Sequence, residues 1–210
     1  MTTTRLRARA VTLAAVGLVL ASTGLVAQAS IPANTPGTVW PGRYPYTQAD
    51  IDFMDGMIAH HSQAIVMAKW APTHGASDAV QTLCARIVNA QTDEIALMQN
   101  WLKDRHQSVP EPGPMKMMMN GVAKVMLMPG MLSDSQLVEL DHARGTQFDQ
   151  LFLEFMIQHH KGALTMVDQL FKAPGAGQDD AVYKFASDVQ ADQSTEIGRM
   201  EKMLITLPGD

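Results

Sequence analysis

The chain contains a copy of part of itself. Thr47, Asp50, Phe53, Met57, Ile58, His60, His61, Ala64 and Met67 recur 99 residues later as Thr146, Asp149, Phe152, Met156, Ile157, His159, His160, Ala163 and Met166. A duplicated segment has to pack with its own copy, so the repeat calls for two like units related by a pseudo-twofold axis. Each copy opens on Thr-x-x-Asp, a capping arrangement at a helix start, and its helical pattern closes at Pro72 or Pro174. A second and longer helical pattern follows each break, Ser77 to His106 and Gln178 to Thr206. Val80, Leu83, Cys84, Ile87, Ile95, Met98 and Leu102 recur there at three- and four-residue steps, as do Val182, Phe185, Val189, Ile197, Met200 and Leu204. Two helical hairpins, 47–106 and 146–206, predict an all-α antiparallel four-helix bundle over 47–206, with no convincing strand anywhere.

Between the halves lies a linker, 107–145. Pro110, Pro112, Gly113 and Pro114 forbid a continuous helix, and Met115-Lys116-Met117-Met118-Met119 follows, then Met126, Met128 and Met131 around Pro129-Gly130. Ser133-x-x-Gln136 reads as the capping box of a short helix. The linker is too long for a tight turn and is expected to wrap over the bundle. Residues 30–46, with Pro32, Pro36, Pro41 and Pro45, read as an extended tether.

The first 29 residues read as a signal peptide. Arg5, Arg7 and Arg9 precede an apolar run from Ala10 to Val26, and Ala27-Gln28-Ala29 is a small-x-small cleavage site. If uncleaved, the run is close to the ~17–20 residues that span a bilayer and would serve as an anchor. Either way the expected location is extracytoplasmic: periplasmic, cell-surface or secreted. Losing the three arginines moves the formal charge from −5 to −8, which argues against nucleic acid and anionic membrane surfaces as partners. A single cysteine, Cys84, excludes an internal disulfide and reads as a core residue.

Four of the seven histidines fall inside the repeat, set among methionines. At ~100° per residue, Phe53, Met57, His60, Ala64 and Met67 share a stripe, with His61 on its flank. Phe152, Met156, His159, Ala163 and Met166 repeat that stripe beside His160. Adjacent histidines therefore cannot both face the bundle axis: one faces inward and the other meets a neighbouring helix. The long helices add Gln91, Glu94 and Met98 on one apolar stripe and Gln193, Glu196 and Met200 on the other. A carboxylate on a core-facing stripe is costly unless it is paired or ligating. One alternative is that these groups satisfy one another, a histidine hydrogen-bonding Glu94 or Glu196 to set the packing register. The duplicated donor set favours metal binding over that alternative. Asp55 and Glu154 lie off the histidine stripe, in supporting or solvated positions.

A di-iron bundle needs Glu three residues before His, and here residues 57 and 156 are Met instead. Zinc would recruit Cys or more His. Imidazole with thioether suits Cu(I) best, and Cu(II) where histidine and carboxylate dominate.

The segments Asp52-Phe53-Met54-Asp55-Gly56-Met57-Ile58-Ala59-His60-His61 and Phe148-Asp149-Gln150-Leu151-Phe152-Leu153-Glu154-Phe155-Met156-Ile157-Gln158-His159-His160-Lys161-Gly162-Ala163, with Met128-Pro129-Gly130-Met131 between them, resemble the domain-of-unknown-function family 305 over essentially all of 47–206. The resemblance implies a ferritin-like fold, export, and kinship with periplasmic copper-binding proteins of the CopM type. It implies Met57, His60, His61, Met67, Met156, His159, His160 and Met166 as metal ligands. Glu94, Met98, Glu196 and Met200 join them on the stripe argument alone.

The leading expectation is a non-enzymatic copper binder that sequesters the ion or passes it to an exporter or chaperone. A noncovalent haem-binding electron carrier is the alternative, since no CxxCH occurs and a bundle can hold haem between Met and His. A metal-dependent oxidase lacks Glu-x-x-His and any nucleophile–base pair. A metal-free, partner-binding bundle would need none of these donors.

Overall fold

The computed structural model describes residues 45–119 and 122–207. The expected signal peptide, and all of the expected tether except its last two residues, lie outside them. In chain order the elements are α1 (Gln48–Lys69), α2 (Asp78–Asp104), β1 (Lys116–Met119), β2 (Val122–Val125), α3 (Asp134–His142), α4 (Thr146–Lys172) and α5 (Asp180–Thr206). Helices α1 and α2 pair as one hairpin and α4 and α5 as the other, while α1 packs against α4 at the centre. This is the all-α duplicated bundle expected from the repeat. No described helix is long and apolar enough to cross a membrane.

The helix starts show where the two copies diverge. At α1 the Thr47 capping box forms, with the Thr47 N–H donating to the Asp50 carboxylate at 2.6 Å. At α4 the cap is Gly145, with φ +57° and no side-chain bond, so Thr146 lies inside the helix. Asp50 serves its cap with one carboxylate oxygen and reaches across with the other, whereas Asp149 turns both oxygens across the bundle. It accepts from the Ser77 N–H at 3.1 and 3.2 Å, at the head of α2. Asp50 makes the matching reach, accepting from the Gly177 N–H at 2.7 Å just before α5. Each repeat's buried aspartate thus ties down the turn of the other hairpin, which fixes the two hairpins in register.

The Asp50–Gly177 end of the bundle is also clasped by Asp179, the cap of α5, which accepts from Trp101 Nε1 at 3.0 Å and pairs with Arg105. Burial works to raise the pKa of this carboxyl. The Trp101 and Arg105 hydrogen bonds and the Arg105 charge outweigh burial and hold it below the usual carboxylate range.

The linker departs from the expectation of no strand. Lys116–Met119 and Val122–Val125 pair antiparallel, Lys116 opposite Val125 and Met119 opposite Val122. The sequence signal was Asn120-Gly121 between two apolar runs, the dipeptide that favours two-residue hairpin turns. Beyond this ribbon the chain crosses the bundle backbone-to-backbone. Gly130 has φ +76°, and a Cβ on Gly162 would lie 1.9 Å from the Pro129 carbonyl oxygen. Gln158 Nε2 donates to the Gly130 carbonyl at 3.2 Å. Gln63 on α1 brackets Leu132, donating to its carbonyl at 3.0 Å and accepting from its N–H at 2.7 Å. The Ser133–Gln136 capping box then starts α3, as the sequence indicated.

Two glycine substitutions should therefore move stability in opposite directions. Gly162→Ala has no room and should cost about 2–3 kcal/mol through overpacking. Gly198→Ala, on α5 with nothing within 4 Å of its Cβ position, should gain somewhat under ~1 kcal/mol from helix propensity. Urea unfolding of both variants measures the pair.

Candidate metal centre

The ~100° step between neighbouring helical residues places the two histidines of each pair in different surroundings. His60 on α1 and His159 on α4 meet at the central helix contact, ring centroids 3.7 Å apart and ring planes tilted by 39°. Both are fully buried. His61 turns away toward α2, where its Nε2 lies 2.8 Å from Glu94 Oε2. His160 turns toward α5 and meets Glu196 Oε2, also at 2.8 Å. The arrangement is a stacked imidazole pair on the pseudo-twofold axis, flanked by two equivalent imidazole–carboxylate pairs.

These contacts decide which ring nitrogens carry protons. A carbonyl or an ionised carboxylate only accepts, so a nitrogen facing one must donate. His60 Nε2 lies 3.0 Å from the Pro129 carbonyl, and His61 and His160 present Nε2 to glutamates. In each neutral ring the lone pair is then left on Nδ1. All four Nδ1 atoms are buried without a hydrogen-bond partner, and His159 lacks one at Nε2 as well. Burial holds the pKa of His60 down to about 3, with the charge of His61 adding to it and the Pro129 carbonyl opposing it. Burial likewise holds His159 well below the ordinary imidazole range, with His60, His160 and His61 adding to the effect. The His60 backbone opposes that shift weakly, without hydrogen-bond geometry at either ring nitrogen. His60 and His159 are therefore neutral at physiological pH, the form of imidazole that binds metals.

The methionines divide into two groups. Of the candidate donors, Met57, Met98 and Met166 share one core cluster, where Met54 is also buried, and Met67, Met156 and Met200 share the other. Each trio draws one thioether from α1, one from α4 and one from a long outer helix. The 99-residue offset exchanges Met57 with Met156 and Met67 with Met166, and an offset of 102 in the long helices exchanges Met98 with Met200. All six are buried. Reading along the stripe alone does not show this division, because each stripe contributes to both groups.

Glu94 and Glu196 each spend one oxygen on a histidine, so the hydrogen-bonded alternative is present alongside the sulfur-rich surroundings. Their helices stand across a cleft of about 240 Å³ lined also by Gln91 and Gln193, whose Oε1 atoms are buried and unpartnered. Asp55, one helical turn before the histidines, has a buried and unpartnered Oδ1. Burial, reinforced by the Asp52 charge, pushes its pKa up to about 6. Cys84 is buried in the second cluster, where burial and then the Asp149 charge push its thiol up to about 12, so it supplies no thiolate. Among the described residues no group of three or more His, Cys, Asp or Glu side chains is spaced to hold one ion. A centre built here has to use sulfur. Met128 and the Pro129 carbonyl also belong to this region and were absent from the sequence-derived donor set, which drew only on the repeats.

Comparison with known proteins identifies the family and the fold. Residues 50–204 match the family model described as domain of unknown function (DUF305). A DUF305 fragment from Deinococcus radiodurans superposes with TM-score 0.63 at 25% identity, over 76% of this chain and 97% of the fragment. CopM in its Cu(II)-bound form superposes with TM-score 0.56 at 26% identity, over 74% of this chain and 95% of CopM, and CopM has also been solved with Cu(I), with silver and in the apo form. An uncharacterized Acanthamoeba polyphaga mimivirus protein is 39% identical over 62 residues, and this match spans only 41% of the viral protein's length. With two duplicated hairpins, paired Met-Ile-x-His-His motifs and a family match across the whole bundle, the chain belongs to the DUF305 family.

Proposed function

We propose that this protein is an extracytoplasmic, non-enzymatic copper binder that holds Cu(I), and accommodates Cu(II), at histidine–thioether sites for sequestration or hand-over. The observation that carries this reading is the set of four buried Nδ1 atoms without hydrogen-bond partners, within a core whose two clusters each hold three of the candidate methionines. A buried polar atom left unpaired costs about 1–3 kcal/mol, and a cation that accepts those lone pairs offsets that cost. The donor chemistry is soft nitrogen and sulfur, the set that prefers Cu(I). Glu94 and Glu196 act through His61 and His160, holding the tautomer that leaves Nδ1 free, as carboxylates do for histidine ligands generally. CopM, similar in fold over nearly its whole length, has been solved with both copper oxidation states, which supports the same cargo here. The twin methionine groups suggest two equivalent sites, and thioether ligands without a thiolate favour exchange over permanent capture. The expected signal peptide places the protein where an exporter could pass copper to it. Rings 3.7 Å apart leave no slot for a macrocycle between His60 and His159.

Three outcomes are expected. Ag(I), a redox-inert substitute for Cu(I), at a hundredfold excess over its Kd should stabilise the fold by ~2.7 kcal/mol, while Mg²⁺ leaves the melting temperature unchanged. No shift with Ag(I) would contradict the copper reading. His159→Leu should raise the stability of the metal-free protein by ~1–2 kcal/mol, because it removes two unpartnered buried nitrogens, while lowering Cu(I) affinity in a chelator competition. Glu94→Gln should weaken Cu(I) binding roughly 10–100-fold at its half of the molecule.

The pH dependence has a definite sign. Unfolded histidines take up protons below about 6.5, whereas native His60 does so only near pH 3 and His159 well below the ordinary value. The metal-free fold should therefore lose stability as pH falls below 6.5. Asp55, with its native pKa raised from 3.8 to about 6, opposes this: its contribution is full below 3.8 and is lost as pH rises through 6. Two histidines outweigh one carboxyl, so stability falls on acidification, and Asp55→Asn should steepen the fall between pH 6 and 4. Urea midpoints across that range measure the slope.

A further inference from the structure

Resting on the copper reading above, we infer that Met128 and Met166 form an outer thioether site, a port through which a soft monovalent cation reaches one of the twin methionine groups and not the other. The two side chains come from different segments and converge on the space that Gly56 leaves open. A Cβ at Gly56 would lie 3.1 Å from Met128 Sδ and 3.3 Å from Met166 Cε. Both methionines line a surface pocket of about 220 Å³, together with Phe53, Pro129, Leu170 and the exposed Asp52. The pocket therefore offers two soft donors, with a carboxylate at its rim to attract a cation. Beneath it the donors continue inward. Met166 also belongs to the buried group with Met57 and Met98, and Met128 packs against that cluster. His60 lies one helical turn beyond Gly56, about 6 Å along the axis.

Met128 is suited to carrying an ion inward. Its side chain is unbranched and flexible, and it precedes Pro129, whose carbonyl accepts from His60 Nε2. Displacement of the 128–130 segment by an arriving ion is felt directly at that hydrogen bond.

The pseudo-twofold partner of this port is closed. The repeat offset carries Gly56 onto Phe155, which packs against the second cluster, so a ring stands where the first copy has none. It carries Gly162, where the linker crosses, onto Gln63. The linker crosses the bundle once and brings Met128 to the Met57–Met98–Met166 side; against the Met67–Met156–Met200 side the partly buried methionine is Met203 of α5, which no linker segment carries. Twin sites of matching donor sets are thus expected to fill at unequal rates.

The test is stopped-flow transfer of Cu(I) from the coloured bathocuproine disulfonate chelate, under reducing anaerobic conditions, to the full bundle. The wild-type protein should take up copper in two phases, and Met128→Leu should slow the fast phase tenfold or more while the final copper per chain stays the same. Gly56→Ala, which keeps both thioethers but crowds Met128 Sδ and narrows the pocket, should slow the same phase. In ¹³C-methyl methionine spectra, substoichiometric Ag(I) should shift Met128 and Met166 before Met67, Met156 and Met200. Wild-type kinetics in Met128→Leu overturn the port and leave the copper reading standing. A lower final stoichiometry in that variant also overturns the port, since it makes Met128 a permanent ligand. No Cu(I) uptake by the wild-type protein overturns the copper reading and the port with it.

Discussion

Four imidazoles buried in a helical core, each with a ring nitrogen facing no partner, are the constraint on which the rest of the structure turns. Interiors rarely tolerate such atoms, and a set of them arises here from a simple geometric cause. Adjacent histidines on one helix diverge by ~100°, so duplicating the pair stacks two rings on the axis and sends the other two outward to glutamates. Burial keeps the central rings neutral, and the acceptors around the others choose Nε2 as the protonated atom. Each step leaves a buried ring nitrogen without a protein partner in a core that also holds the methionines.

The surrounding architecture holds that geometry in place. Asp50 and Asp149 cross between hairpins to tie each other's turns, so the two halves cannot slide past one another without breaking buried hydrogen bonds. Gly162 and Gly130 let the linker backbone lie directly on α4, which brings the Pro129 carbonyl to His60. That contact breaks the twofold symmetry. His60 gains an acceptor and His159 does not, leaving His159 with both nitrogens unpartnered.

Much of this could be read in the residues. The repeat offset, the prolines closing each first helix and the apolar spacing define four helices whose observed limits lie within a few residues of those expected. The divergence of the paired histidines follows from helix geometry; which of each pair meets a stripe carboxylate does not, and the structure assigns His61 to Glu94 and His160 to Glu196. Other features depend on contacts between segments far apart in the chain. The Thr146–Asp149 cap does not form, and both Asp149 oxygens instead face the Ser77 N–H, 72 residues away. The division of six methionines into two groups needs the α1–α4 packing. Met128 lies outside the repeat, so periodicity could not single it out. The β1–β2 ribbon is different in kind: Asn120-Gly121 was a readable local signal that the density of prolines and methionines around it obscured.

The most direct test of the central claim is a ¹⁵N spectrum of the histidine side chains in the metal-free protein, repeated after adding Ag(I). The structure predicts that His60, His61 and His160 carry their proton on Nε2 with a bare Nδ1, and that Ag(I) moves the Nδ1 resonances while the Nε2 protons stay in place. Protons found on Nδ1 in the metal-free protein, or Nδ1 resonances indifferent to Ag(I), would contradict the account.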